Sequence, residues 1–188
     1  MKASFWSAML LAAVVGVSSS FVSCPTASAS ISTEVVKTGN QDSQYPVVHI
    51  KDKAAVEAAI NADIRSQIED MRNRLDYSYD EEKVSYKLKY EGKDYVSLVL
   101  CLWTYNHGAA HGMPYYRGVT YSRVNGARMS IRDFVRIGSD DAWRIYNQTV
   151  FSGSGKVLTR QQLFRDYASQ PLSGNFYLAG RGQVALIY

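Results

Sequence analysis

Tyr95-Val96-Ser97-Leu98-Val99-Leu100-Cys101-Leu102-Trp103-Thr104-Tyr105 is the stretch on which the fold turns. Apolar residues occupy both of its alternating faces, so it reads as a central strand covered on both sides. Its neighbours alternate. Glu82 to Tyr90 places Val84, Tyr86, Leu88 and Tyr90 on one face and Ser85, Lys87 and Lys89 on the other, the pattern of a half-buried strand. Glu91-Gly92-Lys93 supplies the turn between the two, and Pro114 to Ser122 alternates again. These three strands form an antiparallel sheet, and the sheet needs a partner to cover it.

The partner lies upstream. From Asp52, a plausible N-cap, to about Asn73 the apolar residues Val56, Ile60, Ile64, Ile68, Met71 and Leu75 recur at spacings of three and four. One long helix is predicted, packed by this stripe onto the sheet. Before it, Tyr45 to Ile50 reads as a short strand, with Pro46 placing it at an edge or at the strand's start. The polar segment 30–43 holds at most a weak strand over Thr33–Lys37.

Downstream, Asn125-Gly126 is a type I′ hairpin signal, and Ser130-x-x-Asp133 looks like a cap for a single turn through Phe134. Shorter helices are predicted from Asp140 to about Val150, broken by Ser152-Gly-Ser-Gly155, and from the Thr159-x-x-Gln162 capping box to about Ala168. A late hairpin joins Asn175–Leu178 to Gln183–Tyr188 through Gly180-Arg181-Gly182. The expected class is α+β, an antiparallel sheet on one long helix, with residues 44–188 as one domain (44–80 the N-terminal strand and helix, 81–188 the remaining sheet portion).

The 188 residues are 46% hydrophobic and 20% charged, a globular composition that excludes disorder for most of the chain. A formal charge of +4 is too even for a nucleic-acid binder. The charge is unevenly spread, however. Positions 30–116 hold 10 basic and 13 acidic residues, and positions 117–188 hold 10 basic and 4 acidic. The second half either folds against the first or meets an anionic partner such as a wall polymer or an acidic protein.

Residues 1–29 read as a signal peptide. Lys2 is the positive n-region, Ala8 to Val17 the apolar core, and Ala27-Ser28-Ala29 the cleavage site, so the exported chain begins at Ser30. Lipidation at Cys24 and an uncleaved anchor are the alternatives; no other run is long enough to span a bilayer as a helix. Removal of Cys24 leaves Cys101 without an intramolecular partner, and Cys101 reads as a small core residue.

Two of the three histidines, His107 and His111, lie in Asn106-His107-Gly108-Ala109-Ala110-His111-Gly112. Four apart on a helix they would share a face, but Gly108 and Gly112 oppose a helix. H-E-x-x-H, G-x-S-x-G and a Gly-rich phosphate loop are all absent. The bland reading is a tight loop in which the glycines adopt φ > 0 and His111 bonds backbone or a carboxylate such as Asp133. No metal or other cofactor is expected. All 14 tyrosines follow the signal, and Tyr115, Tyr116 and Tyr121 beside this loop are candidates for a contact surface, with His107 and His111.

The motifs V-S-Y-K-L-K-Y, S-L-V-L-C-L-W-T-Y, G-A-A-H-G, G-V-T-Y, N-G and I-R-D-F, from Val84 to Phe134, together resemble a family of exported bacterial domains. That family's ectodomains include those of the lysozyme-sensing anti-sigma factor RsiV and the non-catalytic N-terminal region of the peptidoglycan deacetylase PdaC. Tyr45-Pro46-Val47, Ile60-Asn61 and Phe176-Tyr177-Leu178 extend the resemblance to residues 44–188. Ala109 replaces a glycine of the family's Gly-Gly-Ala-His-Gly motif, and the family continues past the position of Tyr188, which implies truncation. The resemblance implies an α+β ectodomain of the cell envelope, able in some relatives to bind a protein such as lysozyme. Three functions follow: a binding or sensor module for a wall-associated or lysozyme-like ligand, a small exported hydrolase using His107 and His111, or a structural envelope protein.

Overall fold

The computed structural model describes residues 31–38, 41–75, 78–136, 150–151, 157–158 and 174–187. The predicted signal peptide with Cys24 and Ala29 lies outside them, as do Ser30 and residues 140–149 and 159–168 of the two predicted C-terminal helices.

The strand read as central is central. β3 (Glu81–Glu91), β4 (Tyr95–Tyr105) and β5 (Met113–Ser122) form an antiparallel sheet in that order. Alternate residues of β4 point to opposite faces. Val96, Leu98, Leu100 and Leu102 join one buried cluster with Ile60, Ile64, Ile68 and Met71 of helix α1 (Ala54–Asn73). The stripe was read correctly, because a 3.6-residue period leaves one face to bury. Asp52 does not cap the helix. It sits at φ +60, and Lys53 is the N-cap, its side chain donating to the Arg123 carbonyl rather than capping the helix. The chain turns there through Lys53 N–H donating to the Ile50 carbonyl.

The other face of the sheet is covered by a hairpin of β8 (Phe176–Gly180) and β9 (Gln183–Leu186). Arg181 and Gly182, at φ +53 and +74, are the two left-handed residues of a type I′ turn. β8 runs directly over Gly118, where a Cβ would lie 2.0 Å from the Phe176 carbonyl oxygen. Beneath it the Ser97 hydroxyl meets Thr120 Oγ1 at 2.8 Å and accepts from the Leu178 N–H at 3.0 Å. A buried serine in β4 is thus satisfied from both sides.

Two local readings are corrected. A bulge between Leu88 and Tyr90 shifts the register so that Tyr90 opposes Ser97, which moves Tyr90 to the face opposite Val84. Asn125-Gly126 is not a type I′ turn, since only Gly126 has positive φ (+78). The longer loop closes through Ser122 N–H to the Ala127 carbonyl and docks Gly126 against Val56 and Ala59 of α1. The Ser130/Asp133 capping box is present around a 3-10 turn, Ile131–Asp133.

The polar N-terminal segment is more ordered than its composition implied. β1 (Ile31–Thr38) pairs antiparallel with β2 (Gln41–Val48), longer than the predicted Tyr45–Ile50 strand. This hairpin joins β3 through the buried Ser43 Oγ, which accepts from the Val84 N–H at 3.0 Å. Asn61 of α1 grips its end: Oδ1 accepts from the Val48 N–H and Nδ2 donates to the Val48 carbonyl. β6 (Val150–Phe151) pairs with β7 (Val157–Leu158), so the predicted helix ending near Val150 gives way there to a strand. Among the described residues the architecture is antiparallel sheet with one helix.

Ile64→Ala is expected to destabilise by about 2–5 kcal/mol in urea unfolding, because Ile64 is fully buried between helix and sheet. Gly118→Ala is expected to cost about 1–3 kcal/mol through overpacking against backbone that cannot rotate away. Its signature is early loss of amide protection in β8 during hydrogen exchange.

Candidate functional site

The loop 106–112 is a clasp at the end of β4. The His107 N–H donates to Asp80 Oδ2 at 2.6 Å, and the Asp80 N–H donates to Asn106 Oδ1 at 3.2 Å. The His107 ring lies edge-on to Tyr105, 5.9 Å between centroids. Gly108 has φ +93, as the loop reading required. Gly112 is needed for a different reason: a Cβ there would lie 2.2 Å from the Trp103 ring. His111 is exposed, with Nδ1 3.2 Å from the adjacent Gly112 carbonyl oxygen. Asp133 is not its partner. That carboxylate accepts from the Ser130 N–H at 2.6 Å and is committed to the capping box. Among the described residues no three His, Cys, Asp or Glu side chains gather as a metal set.

The three candidate tyrosines are not equivalent: Tyr115 and Tyr121 lie on the helix-facing side of β5 and Tyr116 on the other, and burial separates the first two. Tyr121 is a core residue: it is fully buried, and its hydroxyl donates to Asp63 Oδ2 at 2.9 Å. Burial and the Asp63 carboxylate push its pKa far upward. Tyr115 faces the helix side, packs against the core and meets the Tyr79 hydroxyl at 3.4 Å. Tyr116 faces the other way and is 52% exposed. Cys101 is half-buried on the Tyr116 side of β4, and burial raises its thiol pKa, which disfavours the reactive thiolate.

What the fold assembles instead is a groove of about 1040 Å³ along the outer edge of β5, walled by α1 and by the chain around Asn175 and Ile187. Tyr115 and Tyr116 both line it, as do Arg74, Arg117, Arg128 and Asp70. Arg117 is fixed by Asp70 Oδ2 at 2.6 Å and Gln67 Oε1 at 3.0 Å. Arg74 shares the same carboxylate at 3.0 Å, and Arg128 reaches Asp63 at 3.6 Å. The Arg117 hydrogen bond holds the Asp70 carboxyl below the usual carboxylate range. Asn175 closes the strand edge, its Nδ2 donating to the Tyr116 carbonyl and its Oδ1 accepting from the Gly118 N–H.

Of the predicted site residues, the groove therefore takes Tyr115 and Tyr116 and leaves out His107, His111 and Tyr121. Arg117 and Arg128 were visible only as part of the basic excess of positions 117–188, and Arg74, in the acidic half, carried no such signal. No local signal marked Asn175, which reads as an ordinary strand residue.

His111→Ala is expected to change stability by no more than about 0.5 kcal/mol, since an exposed side chain loses one local bond. Gly112→Ala is expected to cost about 1–3 kcal/mol, because the Trp103 ring must move. Asp70→Asn is expected to weaken the protein at neutral pH. The folded carboxyl titrates lower than the unfolded one, so its contribution is present above the unfolded value and lost as pH falls through the folded value. Urea midpoints of wild type and variant should therefore converge in acid.

No protein-family model and no curated protein matches the sequence. Solved structures similar to the chain include a DUF3298 family protein from Pseudomonas aeruginosa PAO1, at 14% identity and a TM-score of 0.34, over 65% of this chain and 63% of that one. Another is a DUF3298 family member from Bacteroides fragilis, at 13% identity and a TM-score of 0.44, over 80% and 81%. The chain thus spans less than two thirds of the length of the first of these proteins.

Proposed function

We propose that the chain is an exported cell-envelope domain acting as a binding or sensor module, whose non-catalytic groove takes an anionic, wall-associated ligand. The observation that carries this reading is the groove itself. Three guanidinium groups surround it against the Asp70 carboxylate in its lining, with Tyr115 and Tyr116 beside them. Asp70 is shared by two of the arginines and Asp63 stands beside the third, so two carboxylates face three guanidinium groups and a positive excess remains. Arginine and tyrosine are the side chains that bind with fixed geometry and little entropy loss. An anionic polymer suits that charge better than a cationic protein does. The likeness of residues 84–134 to the ectodomain family of RsiV and PdaC supports an envelope setting, as do the apolar core and cleavage motif of residues 1–29. The hydrolase reading draws no support from the loop, where Asp133 is engaged elsewhere and His111 bonds its own neighbour's carbonyl.

The test is retention of the secreted chain on purified peptidoglycan, with immobilised lysozyme as the comparison. Retention on the wall polymer is expected, weakening as salt rises. Arg128→Ala and Tyr116→Ala should each weaken it by about fivefold or more, the range of a contact at the centre of an interface. Binding to lysozyme alone would move the ligand to a protein, and binding to neither would leave a structural envelope protein. N-terminal sequencing should begin at Ser30; a lipid-bearing Cys24 would replace secretion with anchoring.

A further inference from the structure

Away from the groove, three residues from separate elements meet in the arrangement of a nucleophile, a base and an orienting acid. Ser32 lies on β1 opposite Val47. His49 follows the end of β2 at Val48, and its ring reaches back to Ser32. Glu57 lies in the first turn of α1. Ser32 Oγ stands 2.7 Å from His49 Nε2, and His49 Nδ1 stands 3.3 Å from Glu57 Oε1. The second carboxylate oxygen, Oε2, accepts from the Ile50 N–H at 2.9 Å. That backbone bond, aided by His49, holds the Glu57 carboxyl low and ionised. None of the three lines the groove.

We propose that Ser32, His49 and Glu57 form a nucleophilic site at which the Ser32 hydroxyl is acylated by small activated esters. The proposal does not depend on the groove or on its ligand. With Glu57 accepting from Nδ1–H, the neutral imidazole presents Nε2 as acceptor to the serine O–H, the tautomer a general base needs. Ser32 Oγ then forms a bond to the acyl carbon while the bond from that carbon to the leaving oxygen breaks. The hydroxyl proton passes to Nε2 and on to the departing alkoxide, which leaves as the alcohol. Water reverses the exchange. Its proton goes to Nε2, its oxygen bonds the acyl carbon, the bond to Oγ breaks, and the acid leaves as Ser32 recovers its proton.

The exposure of Ser32 sets the expected rate. The developing oxyanion faces water, and an oxyanion-hole donor is worth about 10²–10³ in rate where enzymes have one. Covalent capture at Ser32, with slow release, is therefore the expected behaviour. The reach of the site is a small ester with a good leaving group, because Ser32 is exposed and lies outside the groove.

The experiment uses the secreted chain, a fluorophosphonate probe and p-nitrophenyl acetate, with peptide mapping by mass spectrometry. One label per chain is expected, on the peptide that contains Ser32. Ser32→Ala should abolish it. His49→Ala should slow it by about 10²-fold or more, the contribution of a general base, with partial rescue by added imidazole. Glu57→Gln should lower the rate at saturating ester while leaving half-saturation unchanged, the mark of a positioning residue. The wild-type peptide map alone decides the matter if a variant fails to fold. An unlabelled chain, a label on another residue, labelling that survives Ser32→Ala or indifference to His49→Ala would overturn the proposal, leaving the trio as a hydrogen-bonded tie between hairpin and helix.

Discussion

β4 is apolar on both faces, and each of those faces must be taken out of water. Helix α1 answers one demand, placing Ile60, Ile64 and Ile68 against Val96, Leu98, Leu100 and Leu102. Each such side chain contributes about 1.5–3 kcal/mol by full burial. The β8–β9 hairpin answers the other, and it can approach only because Gly118 has no side chain to meet Phe176. A sheet of three strands is stable when both covers are in place, and the positions of helix and hairpin create the groove between them.

The strand edges that this arrangement leaves are closed by single side chains. A side-chain amide sets an N–H donor beside a carbonyl acceptor, so asparagine can stand in for one residue of a missing strand. Asn61 does so at Val48, and Asn175 does so between Tyr116 and Gly118. Both prevent unpaired N–H and C=O groups from offering a template for another chain. Arg117 performs the matching task on the helix side, tying β5 to Gln67 and Asp70. The groove is therefore walled by groups whose first role is to hold the fold, which keeps its arginines in fixed positions.

The histidine loop is held by backbone and ring contacts. His107 contributes its backbone N–H and a ring edge, and Gly112 contributes the absence of a side chain above Trp103. The loop ends β4, reaches back to Asp80 and returns the chain into β5. By contrast, Ser32, His49 and Glu57 carry no motif, since their spacing of seventeen and eight residues has meaning only once β1, β2 and α1 are folded together.

Local pattern by itself determined the helix stripe, the doubly apolar central strand with its two alternating neighbours, and the capping box at Ser130, because each has a local cause: a face buried, or one turn capped. The bounds of β4 and the end of α1 at Asn73 were legible for the same reason. Tertiary structure decided the rest. The bulge that turns Tyr90 to the opposite face depends on the register with β4, and the burial of Tyr121 depends on Asp63 of α1 lying over its hydroxyl. The order of the polar β1 depends on pairing with β2 and on Ser43 reaching Val84. Which tyrosines meet which arginines, and which serine meets which histidine, are long-range facts, because contacts between distant residues leave no spacing in a single sequence to be read.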